Sequence, residues 1–179
     1  MTCVIAGQRS ASHLVRSINR IHFTLTFILM TGSLTEQQIH TLLTSQVVGR
    51  LGGSVKGLPY VIPVSYAYEH PYVYSHTREG TKVTMMRQNG QVCLQVDQID
   101  NLANWRSVMV WGTYEELSGE AAEEGLLILK NRLSPLTTSV YSRSLLDLKA
   151  GELSRATEAR EVIYRIKIEM HSGRYEKSQ

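Results

Sequence analysis

Cysteine is almost missing from this chain: among 179 residues only Cys3 and Cys93 occur, far apart. That pair excludes a disulfide framework and gives no metal-ligand spacing, so no metal site is expected. Cys93 sits inside the strand-like run "QVCLQV" and reads as a reduced, buried thiol, which fits a cytoplasmic protein. No stretch is long and apolar enough to span a membrane. No glycine-rich dinucleotide fingerprint precedes a helix, so a separate NAD-binding unit is not expected. Internal repeats and low-complexity tracts are lacking too. An excess of one charge is lacking despite a formal +3: setting aside Arg9, Arg16 and Arg20 leaves 16 basic against 16 acidic residues. A general nucleic-acid footprint is therefore excluded, and an anion site can arise only from local clustering.

What is present is an ordinary globular composition, of a length that suits one domain. Residues 1–29 read apart from the rest. They hold three arginines and no acid, and then run into "FTLTFILM" at Phe23–Met30. Three readings compete: a signal peptide, an N-terminal packing helix, and a translated leader ahead of a natural start at Met30. The favoured reading is the leader, with residues 30–179 forming the domain, because "MTGSLTEQQIHTLL" looks like an ordinary beginning.

Ser33 and Glu36 have capping-box spacing, and Leu34, Ile39, Leu42 and Leu43 give a helical apolar stripe. The period then becomes two. Strands are expected at Val47–Ser54, Pro59–Glu69 and in "YVYSHT", forming an antiparallel meander; Pro63 inside the second argues for an edge or a bulge. A short helix over Glu79–Asn89 leads to the strand "QVCLQVD" and a long strand at Asn104–Leu117. In that long strand Trp105, Ser107, Met109 and Trp111 share one face, and Val108 and Val110 the other. "GEAAEEGLLILKNRL" reads as a helix broken by "SPLTTS", and residues 141–160 are polar and indefinite. The last strand, "VIYRIKIEM", turns Val162, Tyr164, Ile166, Ile168 and Met170 inward. Six strands, short turns and a few covering helices predict a mainly β fold: a small, closed or nearly closed antiparallel barrel.

One stretch stands out chemically. "VYSHTREGTK" (Val73–Lys82) changes from a strand into hydroxyls, basic groups and Gly80. Thr77, Arg78, Thr81 and Lys82 stand at a helix start, where backbone donors and the dipole favour an anion, and Lys82 offers a point charge. Arg50 can reach the same place from the first strand. The residues alone leave two readings open, a solvated polar turn and a phosphate site.

The order "VVGRLGG", "GLPYVIPVSYAYE", "YVYSHTREGTKVTMMRQNGQVCLQVD" and "NWRSVMVWGTYEEL" resembles the flavin-nucleotide-binding split-barrel family. This is the pyridoxamine 5′-phosphate oxidase-like superfamily, and in particular its nitroimidazole-resistance-type branch. The resemblance runs from about Leu34 to the last strand. It implies a six-stranded antiparallel split β-barrel, a homodimer, and FMN at the subunit interface. It further implies that Lys82, Thr77, Thr81 and Arg50 serve the phosphate, that Ser75 and His76 lie beside the flavin, and that backbone amides of Pro63, Val64, Ser65 and Tyr66 face its pyrimidine edge. Gln95, Trp105, Ser107 and Trp111 would border the flavin from the other subunit. His76 is the candidate for a catalytic proton as well as a contact. The chain departs from true pyridoxamine-phosphate oxidases at its end, "EMHSGRYEKSQ", where they carry a longer basic and aromatic substrate motif.

The function so implied is an FMN-dependent oxidoreductase of small electron-poor compounds such as nitroimidazoles. The alternatives are a non-enzymatic flavin- or haem-binding protein, and an apo dimer using the same groove for a protein partner.

Overall fold

A computed structural model describes residues 29–136 and 161–178. The leader question and the polar stretch 141–160 lie outside the described residues, Leu29 apart. In chain order the elements are β1 (Leu29–Ser33), α1 (Glu36–Ser45), β2 (Val48–Val55), β3 (Leu58–Glu69), β4 (Tyr72–Arg78) and α2 (Thr81–Gln88). Then come β5 (Gln91–Asn101), β6 (Asn104–Glu116), α3 (Gly119–Leu133), a single 3₁₀ turn at Ser134–Leu136 and β7 (Glu161–Ser178). The strands run in the order β1-β7-β4-β3-β2-β5-β6, all antiparallel, and β6 pairs back onto β7. Six strands thus close a ring. The seventh, β1, is an addition the period-two reading did not contain. It pairs with residues 174–178, a stretch of β7 beyond the expected end of that strand.

The ring closes because β7 is long enough to serve three neighbours. Its first half pairs with β4, its last turns with β1, and nearly its whole length with β6. Leu51, Val64, Tyr66, Val73, Leu94, Val96, Val108, Val110, Tyr164 and Ile166 point into the ring and are buried. Helix α1 closes one mouth with Ile39, Leu42 and Leu43, and the buried Tyr66 hydroxyl donates to the Leu43 carbonyl at 2.8 Å. A second, smaller core lies outside the ring. There α3 lays Ala122, Leu126, Leu129 and Leu133 on Ala67, Tyr74 and Ile163. Arg132 of α3 donates to the Thr44 and Ser45 carbonyls at 2.6 and 3.0 Å, satisfying orphan acceptors at the end of α1.

Three expectations are corrected. The capping box of α1 is Thr35–Gln38, with Thr35 as N-cap and both reciprocal bonds made. Ser33 ends β1 opposite Arg174, and the Leu34 N–H is already bonded to the Gly173 carbonyl, so the helix starts later. Helix α2 is shorter than expected at both ends. On β7 Ile163 is buried against α3, while Met170 faces out. The reason is a bulge: Trp111 pairs with Met170 but Gly112 pairs with Ile168, leaving Glu169 extra. One extra residue swaps the two faces, so Gly173 and Tyr175 take the inward positions instead.

Candidate functional site

The barrel opens where β3 leaves β4. Their ladder is only four pairs long and stops at Tyr66–Ser75. Continued register would set Ser65 against His76 and Pro63 against Arg78, but those pairs are not made. Residues 58–65 of β3 are paired with β2 alone, so Pro63 falls on a free edge, as its missing N–H requires. The Tyr66 N–H bonds to Val47 on the β2 side at 2.9 Å. Alternation then turns the polar backbone groups of Ser65 toward the opening, and its carbonyl accepts from the Ser75 hydroxyl at 2.8 Å.

The other lip of the opening is the end of β4 and the start of α2. Gly80 is the N-cap of α2 and provides no side-chain cap, so the first-turn amides depend on another partner. Thr81 and Lys82 are the first two residues of that helix. Lys82 is half-buried, and burial pulls its ammonium below the usual lysine range. His76 is held near neutral form: burial first, and the Lys82 charge second, bring its pKa down to about 4. Its Nδ1 is buried without a hydrogen-bond partner. Arg87 anchors α2 from its far end by bonding Glu79 and, at 2.7 and 2.8 Å, both carboxylate oxygens of Glu116 on β6.

Three neighbours of this lip are committed elsewhere. Arg78 donates to Glu161 of β7 at 3.1 Å. The Thr77 hydroxyl donates to the Arg78 carbonyl at 3.2 Å. Arg50 reaches Asp97 on β5 at 2.6 Å, not the α2 terminus. The ion pair sets Arg50 in a different row of predicted residues. Across the sheet Pro63 stands beside Arg50, Arg50 beside Gln95, and Gln95 beside Met109. The next row runs Val61, Gly52, Cys93, Trp111, Met170.

These rows form the outer face of β3, β2, β5, β6 and β7. Gln95 donates to Ser107 at 3.3 Å, and the Trp105 indole N–H donates to Glu176 at 3.0 Å. Val48, Val61, Trp111 and Met170 on this face are 56%, 68%, 38% and 58% exposed. So the sequence candidates divide. Arg50, Pro63, Ser65, His76, Gln95, Trp105, Ser107 and Trp111 share the outer side. Val64, Tyr66 and Ser75 are buried toward the ring interior and reach the opening only through their backbone. The sequence reading set Met109 on this face with Trp105, Ser107 and Trp111 but left Val48, Val61, Cys93 and Met170 out of it, although simple alternation along each strand marks all of these but Met170. Among the described residues no group of three or more His, Cys, Asp or Glu is arranged to hold a metal ion. None of the described helices is long and apolar enough to cross a membrane.

Comparison with known proteins gives the same architecture. Residues 35–175 match the family model described as pyridoxamine 5′-phosphate oxidase. A FAD-binding protein of Mesorhizobium loti superposes with a TM-score of 0.64 at 30% identity, over 83% of this chain and 98% of that one. A Bacteroides thetaiotaomicron protein described as a candidate 5-nitroimidazole antibiotic resistance protein superposes at 0.62 and 19% identity, over 84% and 90%, which speaks for the fold alone. The Rhizobium meliloti (strain 1021) protein RA0666 is 37% identical over 59 residues; the match spans 33% of this chain and 39% of that relative's length. With a family match that runs from the cap of α1 almost to the end of β7, on a barrel of the same topology, this chain belongs to the pyridoxamine 5′-phosphate oxidase family.

Proposed function

We propose that the chain binds FMN in the opening between β3 and β4, where two copies meet, and acts as an oxidoreductase on small electron-poor compounds such as nitroimidazoles. The observation that carries this reading is the pair of lips around that opening. One offers free-edge backbone at Pro63–Ser65. The other offers an uncapped helix start with Thr81 and Lys82, beside a buried, unpartnered His76 nitrogen. A phosphate dianion suits the second lip, because amide donors and one fixed cation replace its water. The polar edge of a flavin ring suits the first. Gln95, Trp105, Ser107 and Trp111 of a second copy would cover the ring's far side, and the exposed apolar residues on that face give the second copy its reason to dock. The 30% identical Mesorhizobium loti protein is described as binding FAD, which supports a flavin. Bound there, the flavin supplies the redox chemistry, while the chain supplies orientation, exclusion of water and the His76 imidazole.

Titration of FMN, FAD and riboflavin into the apo protein tests the reading. Lys82→Ala removes one charge-assisted bond, worth about 1.5–3 kcal/mol, or roughly a 10- to 150-fold loss of FMN affinity. Riboflavin affinity should hardly change. Equal losses for both ligands would reduce "REGTK" to a polar turn, and tighter binding of FAD would replace FMN in the proposal. Turnover of a nitroimidazole with NAD(P)H separates an oxidoreductase from a protein that only carries flavin.

A further inference from the structure

We propose that the site takes up a proton at His76 when it takes up the cofactor's phosphate, so that FMN binding is proton-linked and riboflavin binding is not. The inference rests on the phosphate site proposed above and adds a regulatory property to it. Three observations converge. The His76 Nδ1 is cut off from solvent and has no hydrogen-bond partner among the described residues. The cation that bears on it is Lys82, from the first turn of α2. The acids on either side are already taken: Glu161 is bonded to Arg78, and Glu79 to Arg87. Opposite His76 on β7 stands Ile163, and Tyr74, two residues earlier on the same outer side of β4, packs under α3. Each of these described neighbours is therefore apolar, cationic or already ion-paired. That keeps it uncharged.

A phosphate dianion against Lys82 reverses the sign of this field. It cancels the ammonium's repulsion and adds an opposite charge beside it. Both changes favour the imidazolium, whose Nδ1–H then has an acceptor. The proton comes from solvent, and nothing is oxidised or reduced. By linkage, a ligand that raises a group's proton affinity binds more weakly as the pH rises through the window between the free and bound forms. FMN affinity should therefore fall on going from mildly acidic to alkaline pH. The phosphate's own second ionisation, near pH 6, pulls the other way in the same range. The two are separated by a variant that lacks only the imidazole.

The experiment is calorimetric titration of FMN into the apo protein at pH 6, in two buffers of different ionisation enthalpy, for wild type and His76→Gln. The difference counts protons and cancels the phosphate's contribution. Wild type should take up about 0.3–0.5 more protons per FMN than the variant. Riboflavin should show no such difference. Should His76→Gln not fold, His76→Asn replaces it. Equal proton counts in wild type and variant overturn the inference while leaving the phosphate site standing. So does proton uptake of the same size with riboflavin. FMN that does not bind at all overturns both this inference and the function proposed above.

Discussion

Gly112 on β6 lies so near β7 that a Cβ built on it would stand 2.1 Å from the carbonyl oxygen of Lys167. The obstacle is backbone, so it cannot rotate away. The contact sits where the register jumps past Glu169, so it marks the crossing that lets β6 close the ring and then change faces. Gly112→Ala should cost about 1–3 kcal/mol or more through overpacking. For a chain of this size that is a fall in Tm of roughly 3–10 °C. Thermal melts followed by circular dichroism check it, and an unchanged Tm would mean that the two strands can part at no cost.

The start of α1 offers a finer test. Ser33–Glu36 and Thr35–Gln38 both fit the capping-box spacing, and in the structure Thr35 is the cap. Thr35→Ala should cost about 1 kcal/mol. Ser33→Ala, which loses a bond from exposed Arg174, should cost at most a few tenths. The reverse order in chemical denaturation would move the helix start back to Ser33.

That pair also shows what the sequence could and could not disclose. Apolar alternation in "VCLQV" and "SVMVW" gave the ring and its inner face, because side chains on a strand change sides at every residue. Pro63 argued for an edge or a bulge; the structure has the edge, and it is where the barrel opens. A bulge has no such signature: nothing in "IKIEMHSG" says that Glu169 is unpaired, so Met170 reads as inward and β7 as short. Ile163 falls on the outer side by the same alternation. It does lie there, but α3 covers it, a fact of tertiary packing. At the site, composition showed donors at "SHTREGTK" but not that Arg78 and Arg50 are paired with Glu161 and Asp97, since both acids are distant in sequence.

His76 should also make the apo protein sensitive to acid. Its folded pKa, about 4, lies below the ordinary value of 6.5. The unfolded chain therefore binds more protons between those values, and stability is complete above pH 6.5 and declines as the pH falls toward 4. Allowing for partial exposure, roughly 1–3 kcal/mol is at stake. Urea unfolding of wild type and His76→Gln at pH 7.5 and 4.5 checks this. The wild type should lose more stability than the variant over that range. Parallel losses would show that other groups govern acid unfolding.

The outer face carries the last prediction. Val48, Val61, Trp111 and Met170 are exposed apolar residues on adjoining strands, and no helix among the described elements packs over them. Trp111 and Met170 are direct cross-strand neighbours, so they form one raised patch. A patch of this kind is commonly covered by a partner, and the flavin site proposed above asks for a second copy to close it. The wild type should sediment as a dimer at micromolar concentration. Trp111→Glu or Met170→Glu would bury an unpaired carboxylate in each half of such an interface, a cost of about 3–5 kcal/mol. That weakens association by a factor of roughly 100 to several thousand. In the monomer the same residues are solvent-exposed, so far-ultraviolet circular dichroism should be unchanged, and the loss would be in assembly and in FMN affinity together. A dimer that survives both substitutions would place the interface elsewhere. A wild-type monomer that still binds FMN tightly would show that one copy suffices for the site.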